Sequence, residues 1–249
     1  MSTNNINYDK KKFIVCIMAG GRGTRFWPVS TKELPKQFLS LFGKRTLIQQ
    51  SFDRIKDLAD IDKIFILTNS DFINLTKEQL PEILHENIIS EPIPKDTAAA
   101  ITLGASIAKH KFGDDSVIAF LAADHLIDTK EQFQNTLISE TNVAKKQNST
   151  YLIGISATYP SEAYGYMQID EKEKSESDGI SHYKIKKFKE KPDRNTACEY
   201  LKEGNYYWNS GMFICKASVI LEEVGNFLSG NKTIPSHLSI DDVVRNHFL

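Results

Sequence analysis

The sequence predicts an α/β fold built on a doubly wound sheet that is mixed but mostly parallel. Three observations carry this. Short, continuously apolar runs at residues 13–18 and 117–122 have the composition of strands buried on both faces. They alternate with longer segments of helical periodicity, the β-α-β order of a parallel, Rossmann-like sheet. In the middle of the chain the pattern changes: residues 166–169 and 180–188 flank a polar stretch at 171–179, which reads as an inserted β-hairpin region.

Taken in order, residues 1–12 are polar, end in Lys10, Lys11 and Lys12, and read as a flexible N-terminal arm. The strand at 13–18 stops at Gly20 and Gly21, where a Gly-rich loop begins. Thr46 with Gln49 makes a capping-box pattern ahead of Leu47, Ile48, Phe52, Ile55 and Leu58, which recur at helical spacing. A strand at 63–68, a helix at 72–80, an Ala-rich helix at 97–110 and the strand at 117–122 follow, then a helix at 131–146 and a strand at 151–155. Beyond the hairpin region come a helix at 195–202, a strand at 208–215, a helix at 217–227 and a short final helix from Ile240. The charge-rich run 170–178 reads as a solvated loop. With no repeat and no long linker, residues 13–249 are expected to form one domain.

Composition removes several classes of function. In 249 residues with 41% hydrophobic content there is ample material for a core. The 31 basic and 32 acidic residues nearly cancel, so no overall field draws in nucleic acid or an anionic membrane, and any phosphate recognition must be local. The first apolar run is too short for a signal peptide or a membrane span. Cys16, Cys198 and Cys215 are an odd number with no close pair, which suits a reducing cytoplasm.

The strongest chemical signal is Ala19-Gly20-Gly21-Arg22-Gly23-Thr24-Arg25, directly after the first strand, with Pro28, Pro35 and Lys36 beyond it. Gly20, Gly21 and Gly23 let backbone N–H groups approach phosphate oxygens, and Arg25 and Lys36 supply cations, so the loop reads as a triphosphate cradle. No Gly-Lys-Ser/Thr ends it, which excludes a P-loop, and Phe26 stands where a dinucleotide fingerprint needs its third glycine. The plain alternative is a Gly-rich turn with surface cations.

Asp124 follows the strand at 117–122, at the carboxyl edge where open α/β sheets bind ligands. A lone carboxylate there suits Mg²⁺, which takes few protein oxygens and completes its shell with water and phosphate; a turn or cap role is the alternative. His125 reads as structural, because no further Cys or His stands at zinc-ligand spacing. Glu190 and Lys191, before Pro192, pair an acceptor for sugar hydroxyls with a cation for phosphate, or form a surface ion pair. Asn209 starts an apolar strand, where it binds a hydroxyl or caps the chain.

Together these segments resemble the sugar nucleotidyltransferase family, over residues 13 to about 213. The resemblance rests on Met18 to Pro28, on Leu34-Pro35-Lys36-Gln37-Phe38, and on Glu91-Pro92 with Asp96-Thr97-Ala98. It rests equally on Leu121 to His125, Tyr164-Gly165-Tyr166, Glu190-Lys191-Pro192 and Trp208-Asn209-Ser210-Gly211-Met212-Phe213. Trp27, Gln37 and the tract around Thr97 favour the guanylyl-transferring branch. The resemblance implies a nucleotide-diphospho-sugar transferase type of fold, with the nucleotide held by Gly20, Gly21, Gly23 and Thr24 and its phosphates met by Arg25 and Lys36. It also implies Mg²⁺ at Asp124, guanosine near Glu91 and Thr97, and mannose 1-phosphate near Gly165, Glu190, Lys191 and Asn209. Asp96 stands where relatives often carry Asn.

The expected chemistry is attack by a phosphate oxygen of mannose 1-phosphate on the α-phosphorus of GTP, giving GDP-mannose and pyrophosphate, with no general base needed. Arg25, Lys36 and Asp124 are the expected catalytic set, and a homodimer is admitted. After Ser239-Ile240-Asp241 the family continues to a second metal-binding Asp in a Trp-x-Asp-x-Gly context, whereas this sequence ends at Leu249. The expectation is therefore a domain shortened at its C-terminal end, with a catalytically impaired nucleotide-sugar binding domain, or a relative of different base specificity, as the alternative. A nicotinamide-dependent dehydrogenase is disfavoured by the failed glycine pattern.

Overall fold

The computed structural model describes residues 8–10, 13–21, 27–91 and 96–227. In chain order the elements are β1 (Ile14–Met18), α1 (Leu47–Ile55), β2 (Ile64–Asn69), α2 (Ile73–Gln79), β3 (Ile88–Glu91), α3 (Asp96–Phe112), β4 (Val117–Ala122), α4 (Lys130–Lys146), β5 (Tyr151–Ser156), β6 (Tyr166–Ser177), β7 (Ile180–Lys189), α5 (Arg194–Glu203), β8 (Tyr206–Lys216) and α6 (Ala217–Phe227). The chain divides into two compact units, Met1–Thr150 with Ile214–Leu249, and Tyr151–Phe213. Of the expected arm at residues 1–12, Tyr8 donates its hydroxyl to Asp57 O at 3.2 Å. The final helix expected from Ile240 lies outside the described residues.

The first unit carries a parallel sheet in the order β3-β2-β1-β4. Every residue of β2 is buried, as are Ile14, Val15, Cys16 and Ile17 of β1, which explains why residues 14–17 and 64–67 are continuously apolar rather than alternating. Each such side chain withdrawn from water contributes about 1.5–3 kcal/mol. The capping box forms as expected: Thr46 Oγ1 accepts from Gln49 N–H at 3.4 Å and Gln49 Oε1 accepts from Thr46 N–H at 3.0 Å. Strand β3 was not among the expected elements. It is four residues long, Ile-Ile-Ser-Glu, with no room for a readable period, and its pairing with β2 makes it a strand.

In the second unit, β6 pairs antiparallel with β7, and also with β8 at Tyr166↔Trp208, Met167↔Tyr207 and Gln168↔Tyr206. The run 170–178, expected as a solvated loop, is instead mostly strand: β6 continues to Ser177 and pairs across two irregularities with β7. Apart from the buried His182 this ribbon is largely solvated, so no apolar alternation marks it; charged pairs such as Lys186–Asp170 at 3.1 Å and Lys184–Glu173 at 3.4 Å cross between the strands. Its Asp178-Gly179 tip has φ of 53° and 77°, the two positive values that an Asp-Gly hairpin turn supplies. Helix α5 is capped by Asp193, whose Oδ1 accepts from Thr196 N–H at 3.0 Å, and ends at Gly204 in the left-handed region. Among the described residues no helix is long and apolar enough to cross a membrane.

Packing in the first unit yields two stability predictions. A Cβ on Gly104 of α3 would lie 2.5 Å from Phe120 Cε1 and 3.3 Å from Cys16 Sγ, so the helix rests directly on β4 and β1. Helix propensity alone would make Gly104→Ala stabilising by about 1 kcal/mol, but overpacking costs about 1–3 kcal/mol; the expected outcome in urea unfolding is a net loss. Glu140 of α4 is buried, and burial pushes its carboxyl up to about 7 from the ordinary 4.5. Its proton is therefore held more tightly in the folded state, so this contribution is full below pH 4.5 and is lost as pH rises to about 7. Unfolding midpoints of Glu140→Gln at about pH 5 and about pH 8 should differ less than those of the wild type.

Candidate functional site

The parallel strands end at one edge of the first unit's sheet, and Gly20, Gly21, Lys36, Glu91 and Asp124 lie at that edge. From β1 the chain moves outward to β2 and β3 and then returns to the other side of β1 as β4, so the strand order reverses between β1 and β4. Crevices at such reversals are where open α/β sheets take ligands. Gly20 and Gly21 follow β1 and Asp124 follows β4, one on each side of that point. Backbone bonds beyond the strand ends fix their level: Ala19 N–H donates to Leu67 O at 2.7 Å and Ala123 N–H to Met18 O at 3.1 Å.

Lys36 reaches this edge from a short 3₁₀ turn, Lys36–Phe38. Its Nζ lies 3.5 Å from Asp124 Oδ2, with the lysine side chain 21% and the aspartate side chain 44% exposed. The next residue, Gln37, is buried and donates from Nε2 to Ala19 O at 2.7 Å and to Gly21 O at 2.9 Å. The turn bearing the cation is thus tied to the backbone of the glycine loop. Gln79 secures its other side by donating to Phe38 O at 3.2 Å. Sequence reading used Gln37 only as a mark of resemblance; a polar residue between Lys36 and apolar Phe38 was the available signal.

Glu91, at the end of β3, is buried against Gly20: a Cβ on Gly20 would run into Glu91 Oε1. Burial raises the Glu91 carboxyl above its ordinary value. Thr97 stands exposed on the first turn of α3. Gly23, Thr24 and Arg25 of the expected cradle lie outside the described residues, as does the side chain of Asp96. His125 accepts through its backbone carbonyl from Arg54 Nη2 at 3.0 Å, and burial, opposed by Asp124, lowers its imidazole pKa. Arg54 was missed entirely by sequence reading.

Within the second unit the structure brings Gly165, Glu190, Lys191 and Asn209 together. Gly165 O accepts from Asn209 N–H at 2.8 Å, and a Cβ on Gly165 would lie 2.6 Å from Glu190 Oε2 and 3.5 Å from Asn209 Cβ. Lys191 N–H donates to Tyr164 O at 3.2 Å, with φ of 43°, and its Nζ is 3.4 Å from Glu190 Oε1. Asn209 Oδ1 accepts from Gly211 N–H at 2.9 Å, so the amide stabilises its own turn and retains Nδ2 as a donor.

A family model for nucleotidyl transferases matches residues 14–246. The chain belongs to the nucleotidyl transferase family. It is 37% identical over 215 residues to a mannose-1-phosphate guanylyltransferase of Sinorhizobium fredii, covering 86% of this chain and 41% of that protein. It is 40% identical over 221 residues to mannose-1-phosphate guanylyltransferase 2 of Escherichia coli O157:H7, covering 86% of this chain and 45% of that protein. The chain therefore spans less than half the length of these curated relatives. Among solved structures, a mannose-1-phosphate geranyltransferase from Thermus thermophilus matches 94% of this chain and 68% of its own, with a TM-score of 0.77 at 26% identity. The fold of this nucleotidyl transferase is accordingly the nucleotide-diphospho-sugar transferase type.

The Gly20–Glu91 contact gives a stability prediction for this family member. Gly20→Ala should destabilise the protein by about 1–3 kcal/mol through overpacking. In a Glu91→Ala background most of that cost should vanish, because the clashing carboxylate is gone. Urea unfolding of the four proteins measures the coupling; equal costs in both backgrounds would remove Glu91 as the cause.

Proposed function

We propose that the chain transfers a guanylyl group from GTP to mannose 1-phosphate, giving GDP-mannose and pyrophosphate. The observation that carries the reading is the Lys36–Asp124 pair, set across the strand-order reversal beside Gly20 and Gly21. The relatives' activity supports the choice of base and sugar.

A half-exposed ion pair at 3.5 Å is worth only about 0–1 kcal/mol. Both partners can therefore exchange each other for ligand groups at small cost. Lys36 would then meet a phosphate oxygen, and Asp124 a divalent cation. Among the described residues there is no cluster of three His, Cys, Asp or Glu side chains, which suits Mg²⁺, a cation that needs few protein oxygens, and not a closed cage. Once bound, Mg²⁺ neutralises charge on the phosphates. The backbone of Gly20 and Gly21 would approach the polyphosphate, with Arg25 adding a second cation. Glu190 and Lys191 would hold the sugar hydroxyls and the sugar phosphate.

The nucleophile is already a phosphate dianion, so no side chain needs to remove a proton. What the residues contribute is alignment and stabilisation of charge developing on the α-phosphate oxygens and on the leaving pyrophosphate. The buried free thiols Cys16 and Cys215, both raised by burial, suit a reducing, cytoplasmic setting for this reaction.

The test is pyrophosphate release from GTP and mannose 1-phosphate with Mg²⁺. Lys36→Met and Asp124→Asn should each lower kcat by about 10²–10³, and Arg25→Ala should cost about 2.7–4 kcal/mol of transition-state stabilisation. Full turnover in Lys36→Met would remove it from the mechanism. Calorimetric binding of GDP-mannose without any pyrophosphate release would replace the enzyme reading with a binding domain.

A further inference from the structure

Helix α1 buries a cation beneath the turn that carries Asp124. Arg54 is 7% exposed, and no carboxylate is among its hydrogen-bond or ion-pair partners in the described residues. Its Nη2 donates to Ser51 Oγ at 2.8 Å and to His125 O at 3.0 Å. Ser51 Oγ in turn donates toward Ala123 O at 3.2 Å and Ala122 O at 3.4 Å. The carbonyls on both sides of Asp124 are therefore held, one directly and one through a hydroxyl. The neighbouring Asp53 is taken up by Arg45, at 2.9 and 3.1 Å, and by Lys56 at 2.9 Å. The helix backbone is itself anchored, since Arg54 O accepts from Gln134 Nε2 at 2.7 Å.

Burying a guanidinium is expensive, several kcal/mol before compensation. A neutral side chain could fill the same space, and one carbonyl, one hydroxyl and the through-space charge of an Asp53 already bonded to Arg45 and Lys56 offset little of that cost. A rigid, planar, permanently charged donor group does give a reason: through Nη2 it sets the path of a short turn whose carboxylate must be in place before a ligand arrives. We propose that Arg54 is a positioning residue that, with Ser51, fixes the turn at residues 122–125 and so orients the Asp124 carboxylate toward its cation. This rests on the reading of Asp124 as the ligand of a divalent cation.

Two measurements on the full chain test it. Hydrogen exchange at the amides of residues 122–126 should be faster in Arg54→Gln and in Ser51→Ala than in the wild type, at temperatures where all three are folded. Titration of Mn²⁺ in the presence of GTP should show affinity weakened about tenfold by Arg54→Gln, with no further weakening when Arg54→Gln is added to Asp124→Asn. Ser51→Ala, which leaves the cation in place, serves if Arg54→Gln does not fold. Unchanged exchange at residues 122–125, or an equal loss of affinity in the Asp124→Asn background, overturns the role of Arg54. Wild-type affinity in Asp124→Asn overturns the reading of Asp124 instead, whatever the exchange data show.

Discussion

Ala123 N–H, one residue past β4, donates to the carbonyl of Met18, the last residue of β1, at 3.1 Å. Because the two strands are parallel and paired through Met18↔Ala122, this bond sets the glycine loop and the Asp124 turn at the same height above the sheet. A slip of one residue would turn every side chain of β4 to the opposite face, and Phe120, packed under Gly104, pins the register. The functional geometry thus descends from core packing: the apolar runs choose the register, and the register places the polar groups.

Around that edge the structure separates what is held hard from what is held lightly. Gln37, Ser51 and Arg54 are buried and bond to backbone carbonyls, so their positions are dictated by the fold. Lys36 and Asp124 are partly exposed and meet at 3.5 Å. A buried, fully bonded Lys36–Asp124 pair would resist opening, whereas a loose one exchanges easily for phosphate and cation. Rigid supports beneath exchangeable charges are what electrostatic catalysis requires, since reorganisation then falls on the supports before the reaction and not during it.

Much of this was readable from sequence where the signal was local. The capping box needed only Thr46 and Gln49, and β1 and β4 announced themselves by continuous apolar runs next to Gly20 and Asp124. Lys36 was singled out as a phosphate cation and Asp124 as a metal carboxylate, but nothing in their spacing showed that they would meet. The Glu91–Gly20 contact was equally hidden, because it exists only through the pairing of β3 with β2, Asn69 against Glu91. Ser51 and Arg54 share the buried arc of α1 with Leu47, Ile48 and Ile55. A polar i, i+3 pair inside an apolar stripe was the available clue, and it gives no hint of the carbonyls it serves. The hairpin was legible as such, but not its length: its Asp178-Gly179 turn was a strong signal, while the largely solvated strands on either side of it read as loop.

Under the proposed function, donor and acceptor count in the second unit narrows the ligand it would take. Asn209 turns Oδ1 to Gly211 N–H and keeps its two Nδ2 N–H groups as donors, Lys191 is a donor by nature, and the Glu190 carboxylate is an acceptor. A complementary molecule must bring hydroxyl donors to the carboxylate and acceptor oxygens to the amide and the ammonium. The absence of a side chain at Gly165 matters here as well, since a Cβ would press on Glu190 Oε2 and Phe188 and shift the carboxylate. A phosphorylated sugar carries both kinds of group on adjacent atoms, while an apolar ligand would cover the Glu190–Lys191 pair and the Asn209 amide and return no hydrogen bond to them, at about 1–3 kcal/mol for each group buried without a partner.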